Sequence, residues 1–360
     1  MRIKKKSQFP RSRQRFPEMD LMPFILIGIT LIILLAASAR FLYKVFSPIT
    51  DLHGKKECYL YIPTGASFAT ILDSLSSKKY LISKDNFISL AKRKQYPSHI
   101  IPGRYRIKDR MSANSLVNLL RSGRQEPLRI TIHNVRTPGE LAGKLGKKFE
   151  ADSSQFIRLF NDPAFLARFG LSPSTIFVIF IPNTYDFYWN TSCEALLVRM
   201  KKEYQRFWSE QRRQRADSLN MTILQVVTLA SIVEKESNKD DEKPAIAGVY
   251  INRLKKNMLL QADPTVIFAW QDFTIKRVLK KHTELKSPYN TYLYAGIPPG
   301  PICLPSIASI EAVLKAKKTN YLYFCAKEDF SGYHNFAATL DEHNRNATRY
   351  QAALNKMNIR

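Results

Sequence analysis

Residues 223–238 read ILQVVTLASIVEKESN. Ile223 to Val233 form an apolar run of helical length, and the polar run Glu234-Lys235-Glu236-Ser237-Asn238 closes it. A buried helix therefore delivers two carboxylates where it leaves a core. At about 100° per residue Glu234 and Glu236 point about 200° apart, so only one can face a given cleft. Periodicity leaves open which one does.

Downstream, Ala245 to Leu254 (AIAGVYINRL) reads as a second helix. It leads into Leu259-Leu260-Gln261-Ala262-Asp263-Pro264-Thr265, where Asp263, standing before proline, is expected to be extended rather than helical. Ser287-Pro288-Tyr289-Asn290-Thr291-Tyr292 follows, then Gly296-Ile297-Pro298-Pro299-Gly300-Pro301, a rigid loop with few backbone donors. Tyr321 to Ala326 reads as a strand ahead of Gly332-Tyr333-His334-Asn335-Phe336. These are the densest polar and aromatic clusters in the chain, so the chemistry is expected in residues 221–360.

Upstream, residues 151–220 read mainly as helix, interrupted by the aromatic stretch Phe180 to Trp189, which is either a strand packed into the core or a sugar-stacking surface. Lys201 to Arg215 reads as a charged helix with one aromatic stripe. Residues 56–150 repeat an extended run, a turn and an amphipathic helix three times. Tyr59 to Ile62 leads to Phe68, Ile71, Leu72 and Leu75; Tyr105 and Ile107 lead to a helix capped by Ser112 and stopped at Gly123; Leu128, Ile130 and Ile132 lead to Thr137, Pro138 and Glu140, set as N-cap, N1 proline and N3 glutamate.

At the N-terminus, Leu21 to Ala39 holds 19 consecutive uncharged residues, enough for about 28 Å of helix and close to the hydrocarbon thickness of a bilayer. The basic residues before it place residues 1–20 in the cytoplasm by the positive-inside rule, with the rest exported. Ala37-Ser38-Ala39 has the form of a signal-peptide cleavage site, but the length of the run and the Arg40 to Tyr43 flank favour a retained anchor. The whole chain, 360 residues, is long enough for two domains and an extra segment. It carries 56 Lys and Arg against 30 Asp and Glu, a net charge of +26, and residues 47–360 alone keep 47 against 28, a net +19. That excess calls for an anionic partner such as a lipid surface or wall polymer; no nucleic-acid-binding motif is present. The cysteines, Cys58, Cys193, Cys303 and Cys325, lack zinc or redox spacing and read as packing residues, with a disulfide left open.

Taken together, Ala230-Ser231-Ile232-Val233-Glu234-Lys235-Glu236, Leu260 to Thr265, Tyr289-Asn290-Thr291-Tyr292, Gly296-Ile297-Pro298-Pro299-Gly300 and His334-Asn335-Phe336 resemble the YceG-like (MltG) family of endolytic murein transglycosylases. The resemblance implies an α+β protein: a transmembrane helix and its flank over 21–46, a LysM-like module over 47–150 (Gly103-Arg104-Tyr105 and Ser122-Gly123 are similar to it) and a catalytic domain over 151–360. It further implies a single-pass inner-membrane protein with a periplasmic catalytic domain. The implied activity is a lyase-type cut of the β-1,4 bond between N-acetylmuramic acid and N-acetylglucosamine in nascent strands, leaving 1,6-anhydro ends, with peptidoglycan synthases and penicillin-binding proteins as partners. The family's catalytic glutamate, the second of the EKE motif, falls on Glu236. Ser237, Asn183 and Phe268 depart from the residues common in the family.

The chemistry suits that assignment, because a carboxyl at the end of an apolar helix can have its pKa raised enough to donate a proton near neutrality. When the muramic C6 hydroxyl serves as nucleophile, one glutamate can act as acid and then as base, without a second activated water. Glu236 read without the resemblance is equally a helix-end carboxylate paired with Lys235 or Lys239. Asp263 is the best second carboxylate, stabilising positive charge or positioning Gln261 and Thr265, with a turn former before proline as the other reading. Tyr289, Asn290 and Tyr292 are candidates to bind N-acetyl sugars or to order their loop, and His334 either lines the cleft or is a satisfied structural histidine. His334 has no metal-ligand spacing, and no cofactor motif appears. The rival functions are a muramidase that adds water and a non-catalytic wall-binding scaffold.

Overall fold

The computed structural model describes residues 21–357; the basic tail, residues 1–20, lies outside them. Contacts divide the chain into two units, one running to residue 101 and including 105–124, the other comprising 102–104 and 125 onward.

The first unit begins with helix α1 (Met22–Phe46), entered through a first-turn proline and apolar along its exposed length. Among the described residues it is the one continuous helix long and apolar enough to cross a membrane. Then follow β1 (Glu57–Ile62), α2 (Phe68–Ser77), α3 (Lys84–Arg93), β2 (Gly103–Lys108) and α4 (Ala113–Arg121), with β1 paired to β2. Ser67, Ser83 and Ser112 cap the three helices, each accepting the backbone N–H of the residue three positions on, Thr70, Asn86 and Ser115. The alternating inward residues of the strands, Leu60, Ile62, Tyr105 and Ile107, close on Ile71, Leu75, Phe87, Leu116 and Leu120.

The second unit opens with β3 (Leu128–Ile132), α5 (Pro138–Gly146), α6 (Ser153–Phe160), α7 (Pro163–Ala167) and β4 (Asn183–Phe187). Strand β3 runs antiparallel to β4, with Leu128 opposite Phe187 and Ile132 opposite Asn183. This pairing places the third strand-turn-helix repeat, grouped by sequence with residues 47–150, in the second unit. It also makes the aromatic stretch a core strand, since Tyr185 and Phe187 are buried with Ile130 and Ile132 while Tyr188 is exposed. At the start of α5, Thr137 caps the Glu140 N–H at 3.1 Å, but the Glu140 carboxylate accepts from the Arg136 N–H, one residue before the expected position.

Helices α8 (Cys193–Phe207), α9 (Glu210–Ser218), α10 (Ile223–Glu236), α11 (Lys243–Lys255), α12 (Asp263–Trp270), α13 (Lys280–Thr283) and α14 (Ile307–Leu314) follow, then the antiparallel pair β5 (Tyr323–Ala326) and β6 (His334–Ala337) and helix α15 (Leu340–Lys356). The charged run 201–215 is two helices rather than one, broken where Trp208 is driven fully into the core. Helix α10 is buried at every position from Val226 to Val233, as its apolar sequence demands, and it packs between α11 and α14. Gly248 permits the close approach of α11 to the chain beyond α14: a Cβ there would stand 2.5 Å from the Lys317 carbonyl oxygen. The four cysteines are free thiols; Cys303 is buried and Cys58, Cys193 and Cys325 are half-buried.

Candidate active site

The end of α10 separates its two glutamates as the helical period requires. Glu234 turns into protein, where its Oε2 accepts from the hydroxyls of Ser306 at 2.6 Å and Ser309 at 2.5 Å and from the Lys243 ammonium at 3.3 Å. Burial by itself pushes this carboxyl up, but the two serines and Lys243 outweigh it and hold it below the usual carboxylate range.

Glu236 faces a cleft of about 320 Å³ shared with Tyr250, Arg253, Leu260, Gln261, Asp263, Tyr292, Phe324 and His343. Its Oε1 accepts from the Tyr250 hydroxyl at 2.5 Å. Burial pushes its carboxyl up to about 7; the Tyr250 hydrogen bond opposes that rise, the negative charge of Asp263 adds to it, and the Arg253 guanidinium opposes it more weakly. Tyr250 is itself buried, and burial beside Glu236 keeps its hydroxyl protonated far above neutrality, so it remains a donor.

The opposite wall comes from the turn into α12. Asp263 is the first helical residue of α12 rather than extended, and Ala262 before it takes the extended conformation. Steric crowding before proline is overridden here because the first-turn N–H that Pro264 lacks has no intrahelical partner, and the Asp263 carboxylate gains from the positive end of the helix. The Tyr292 hydroxyl donates to Asp263 Oδ1 at 2.6 Å, and burial followed by this bond raises the pKa of that hydroxyl. Gln261 sits in the left-handed region at φ 52°, a strained setting for a non-glycine residue. Arg253, almost fully buried, fixes the turn by donating to the carbonyls of Leu259, Leu260 and Leu322 and to Gln261 Oε1 at 2.6–3.2 Å.

The model of a family described as YceG-like matches residues 60–349. The chain belongs to the YceG-like family. A Bacillus subtilis protein named endolytic murein transglycosylase is 29% identical over 340 residues, covering 89% of this chain and 93% of the relative. A Streptococcus pneumoniae protein of the same name is 27% identical over 91% of the chain, which spans 65% of that relative's length. The crystal structure of a yceG-like protein from Listeria monocytogenes is 29% identical, covers 81% of this chain and 99% of its own, and superposes with a TM-score of 0.54.

Of the residues the sequence marks in this YceG-like chain, Glu236, Gln261, Asp263 and Tyr292 share the cleft. Four others stand behind it. Thr265 is fully buried, donating to the Ala262 carbonyl at 2.7 Å and lying 2.9 Å from the Thr291 hydroxyl, so it ties α12 to the following loop. Asn290 is also fully buried, with its amide donating to the Thr283 and Leu285 carbonyls at 2.8 Å. Tyr289 packs its ring against Phe268 at 4.8 Å. His334 places Nδ1 2.7 Å from Glu242 Oε2 and stands edge-on to Phe324. Glu242 also accepts from the Ser237 hydroxyl at 3.3 Å, so His334 and Glu242 brace the residue after Glu236.

Tyr250, Arg253, Phe324 and His343 are the cleft residues that sequence reading passes over. The first two had a signal in the polar pair three residues apart inside AIAGVYINRL. The other two had none, since Phe324 lies in an ordinary strand and His343 on a polar, amphipathic helix. His343 stacks on Tyr323 at 5.3 Å, and burial lowers its pKa, which favours the neutral ring.

Proposed function

We propose that this chain is an endolytic murein transglycosylase, cutting the β-1,4 bond between N-acetylmuramic acid and N-acetylglucosamine within nascent peptidoglycan strands and leaving 1,6-anhydromuramic ends. The observation that supports it is the Glu236 carboxyl, held up to about 7 in a cleft it shares with Asp263. Near neutral pH about half of such carboxyls carry the proton a leaving oxygen needs. Tyr250 occupies Oε1, which leaves Oε2 to carry it.

In this reading Glu236 protonates the glycosidic oxygen as the bond from muramic C1 breaks, and the N-acetylglucosamine departs with a free O4 hydroxyl. The Asp263 carboxylate, oriented by Tyr292, stabilises the positive charge that develops on the muramic ring. The muramic O6 then bonds to C1 while the Glu236 carboxylate takes its proton, so the acid is regenerated and no water is consumed. Thr265, Asn290 and His334 act as positioning residues.

Helix α1 anchors the chain in the inner membrane, with residues 1–20 cytoplasmic and residues 47–360 periplasmic. The unit that carries α1 has two paired strands with two helices between them and serves as the LysM-like module, while the second unit is the catalytic domain. A net +19 over residues 47–360 suits an anionic wall and membrane surface. Peptidoglycan synthases and penicillin-binding proteins, which make the strand, are the fitting protein partners.

Mass spectrometry of uncrosslinked strands incubated with the full chain in detergent tests the reaction. Internal cuts with anhydro ends, lost in Glu236→Gln, support it. Reducing ends would make the protein a muramidase, and binding without cleavage would make it a scaffold.

A further inference from the structure

Lys235 stands between the two glutamates and shares neither of their environments. It lines a separate pocket of about 220 Å³ with Arg136, Pro264, Phe268 and Phe273. The pocket and the cleft share their walls: α10 sends Glu236 to the cleft and Lys235 to the pocket, and α12 sends Asp263 to one and Pro264 and Phe268 to the other.

Two cations thus converge from different parts of the fold on an otherwise apolar cavity. The Arg136 guanidinium is held 5.4 Å over the Phe273 ring. Among the described residues neither Lys235 nor Arg136 has a carboxylate within ion-pairing distance of its side chain. Glu140, the carboxylate whose charge Arg136 feels, is already committed to the Arg136 backbone N–H at 2.8 Å and to Lys144 at 3.0 Å.

An apolar cavity with two exposed cations at its edge, neither in an ion pair among the described residues, is complementary to a group that is part apolar and part carboxylate. On a peptidoglycan strand, N-acetylglucosamine carries no such group. A stem-bearing muramic residue does, through the acidic peptide that is amide-linked to its lactyl group. We propose that the Lys235–Arg136 pocket receives the peptide stem of a muramic residue bound in the adjoining cleft, so that the enzyme selects stem-bearing strands. This rests on the transglycosylase reading for the identity of the strand, and it adds a determinant of specificity outside the catalytic cleft.

The test measures binding rather than cleavage. Full-length Glu236→Gln protein is offered uncrosslinked strands with intact stems and the same strands stripped by an amidase. Intact strands are expected to bind more tightly, and the ratio of the two affinities is expected to fall about tenfold, or about 1.4 kcal/mol, when Lys235→Ala and Arg136→Ala are added. Arg136→Lys, which keeps the charge, should retain most of the preference and controls for folding. Equal affinity for both strands, a preference that survives the double substitution, or a loss of affinity that is the same for both strands would overturn the proposal. Failure of the wild-type protein to cut either strand would instead overturn the transglycosylase reading, with the binding ratio still deciding the pocket.

Discussion

The two carboxylate environments at the end of α10 differ in every respect except the residue they hold. Around Glu234 the fold supplies two serine hydroxyls and a buried ammonium, and the carboxyl is held low. Around Glu236 it supplies one phenolic donor and a second carboxylate, and burial pushes the carboxyl up to about 7. The contrast follows from a single helix carrying two glutamates about 200° apart into unlike neighbours. Burial raises both carboxyls and is deeper around Glu236; at Glu234 the serine donors and Lys243 outweigh it, whereas at Glu236 the single phenolic donor and Arg253 do not.

The largest way to break the contrast is to remove the proposed proton donor. Glu236→Gln should reduce strand cleavage by about 10²–10⁴-fold, measured as anhydro ends released per unit time. Glu234→Ala should act on stability instead. Lys243 is only 4% exposed and would keep Asp240 at 2.8 Å as its remaining partner, so a loss of about 2–3 kcal/mol is expected in thermal or denaturant unfolding.

Stability against pH sharpens the same contrast, because the two shifts have opposite signs. The Glu234 pKa is depressed on folding, so its contribution is present above the unfolded carboxylate value and is lost as pH falls through the folded value. The Glu236 pKa is raised, so the native state binds the proton more tightly. Its contribution is full below the unfolded value and is lost as pH rises toward and through about 7. Glu236→Gln should therefore raise the melting temperature at pH 8 relative to wild type, and the gain should shrink toward pH 4. A gain that grows on acidification would contradict the assignment.

Smaller effects concern the neighbours. Tyr250→Phe removes the hydrogen bond that restrains Glu236 and should move the limb of the pH–rate profile reporting this group upward, by about one unit or less. Asp263→Asn removes the charge that adds to the rise and should move the same limb downward by a similar amount. Limbs moving the same way would break the account of what sets the carboxyl. Tyr292→Phe, which frees Asp263 from its 2.6 Å bond, should cost about threefold to tenfold in kcat/KM.

Much of this arrangement was legible in the sequence. The apolar run 223–233 announces a buried helix with two carboxylates at its exit, and the period says they diverge. It does not say which meets the cleft, because that depends on Ser306, Ser309, Tyr250 and Lys243, which approach from other elements. Asp263 was misplaced locally, since a rule about the residue before proline assumes ordinary backbone and not the first turn of a helix. Thr265, Asn290 and His334 carry polar groups near the right motifs, yet those groups are spent on ordering loops, a fact set by tertiary contacts alone. The pairing of residues 128–132 was hidden for a related reason: the strand's partner, β4, lies more than fifty residues away in sequence.

Carboxyl-carbon NMR titration of glutamate-labelled protein tests the central claim most directly, with Glu236→Gln and Glu234→Gln used to assign the two resonances. The account predicts one glutamate that titrates near pH 7 and disappears in Glu236→Gln, and another held below the ordinary range that disappears in Glu234→Gln. A Glu236 resonance that titrates with the surface carboxylates, or a near-neutral resonance that belongs to Glu234, would contradict it.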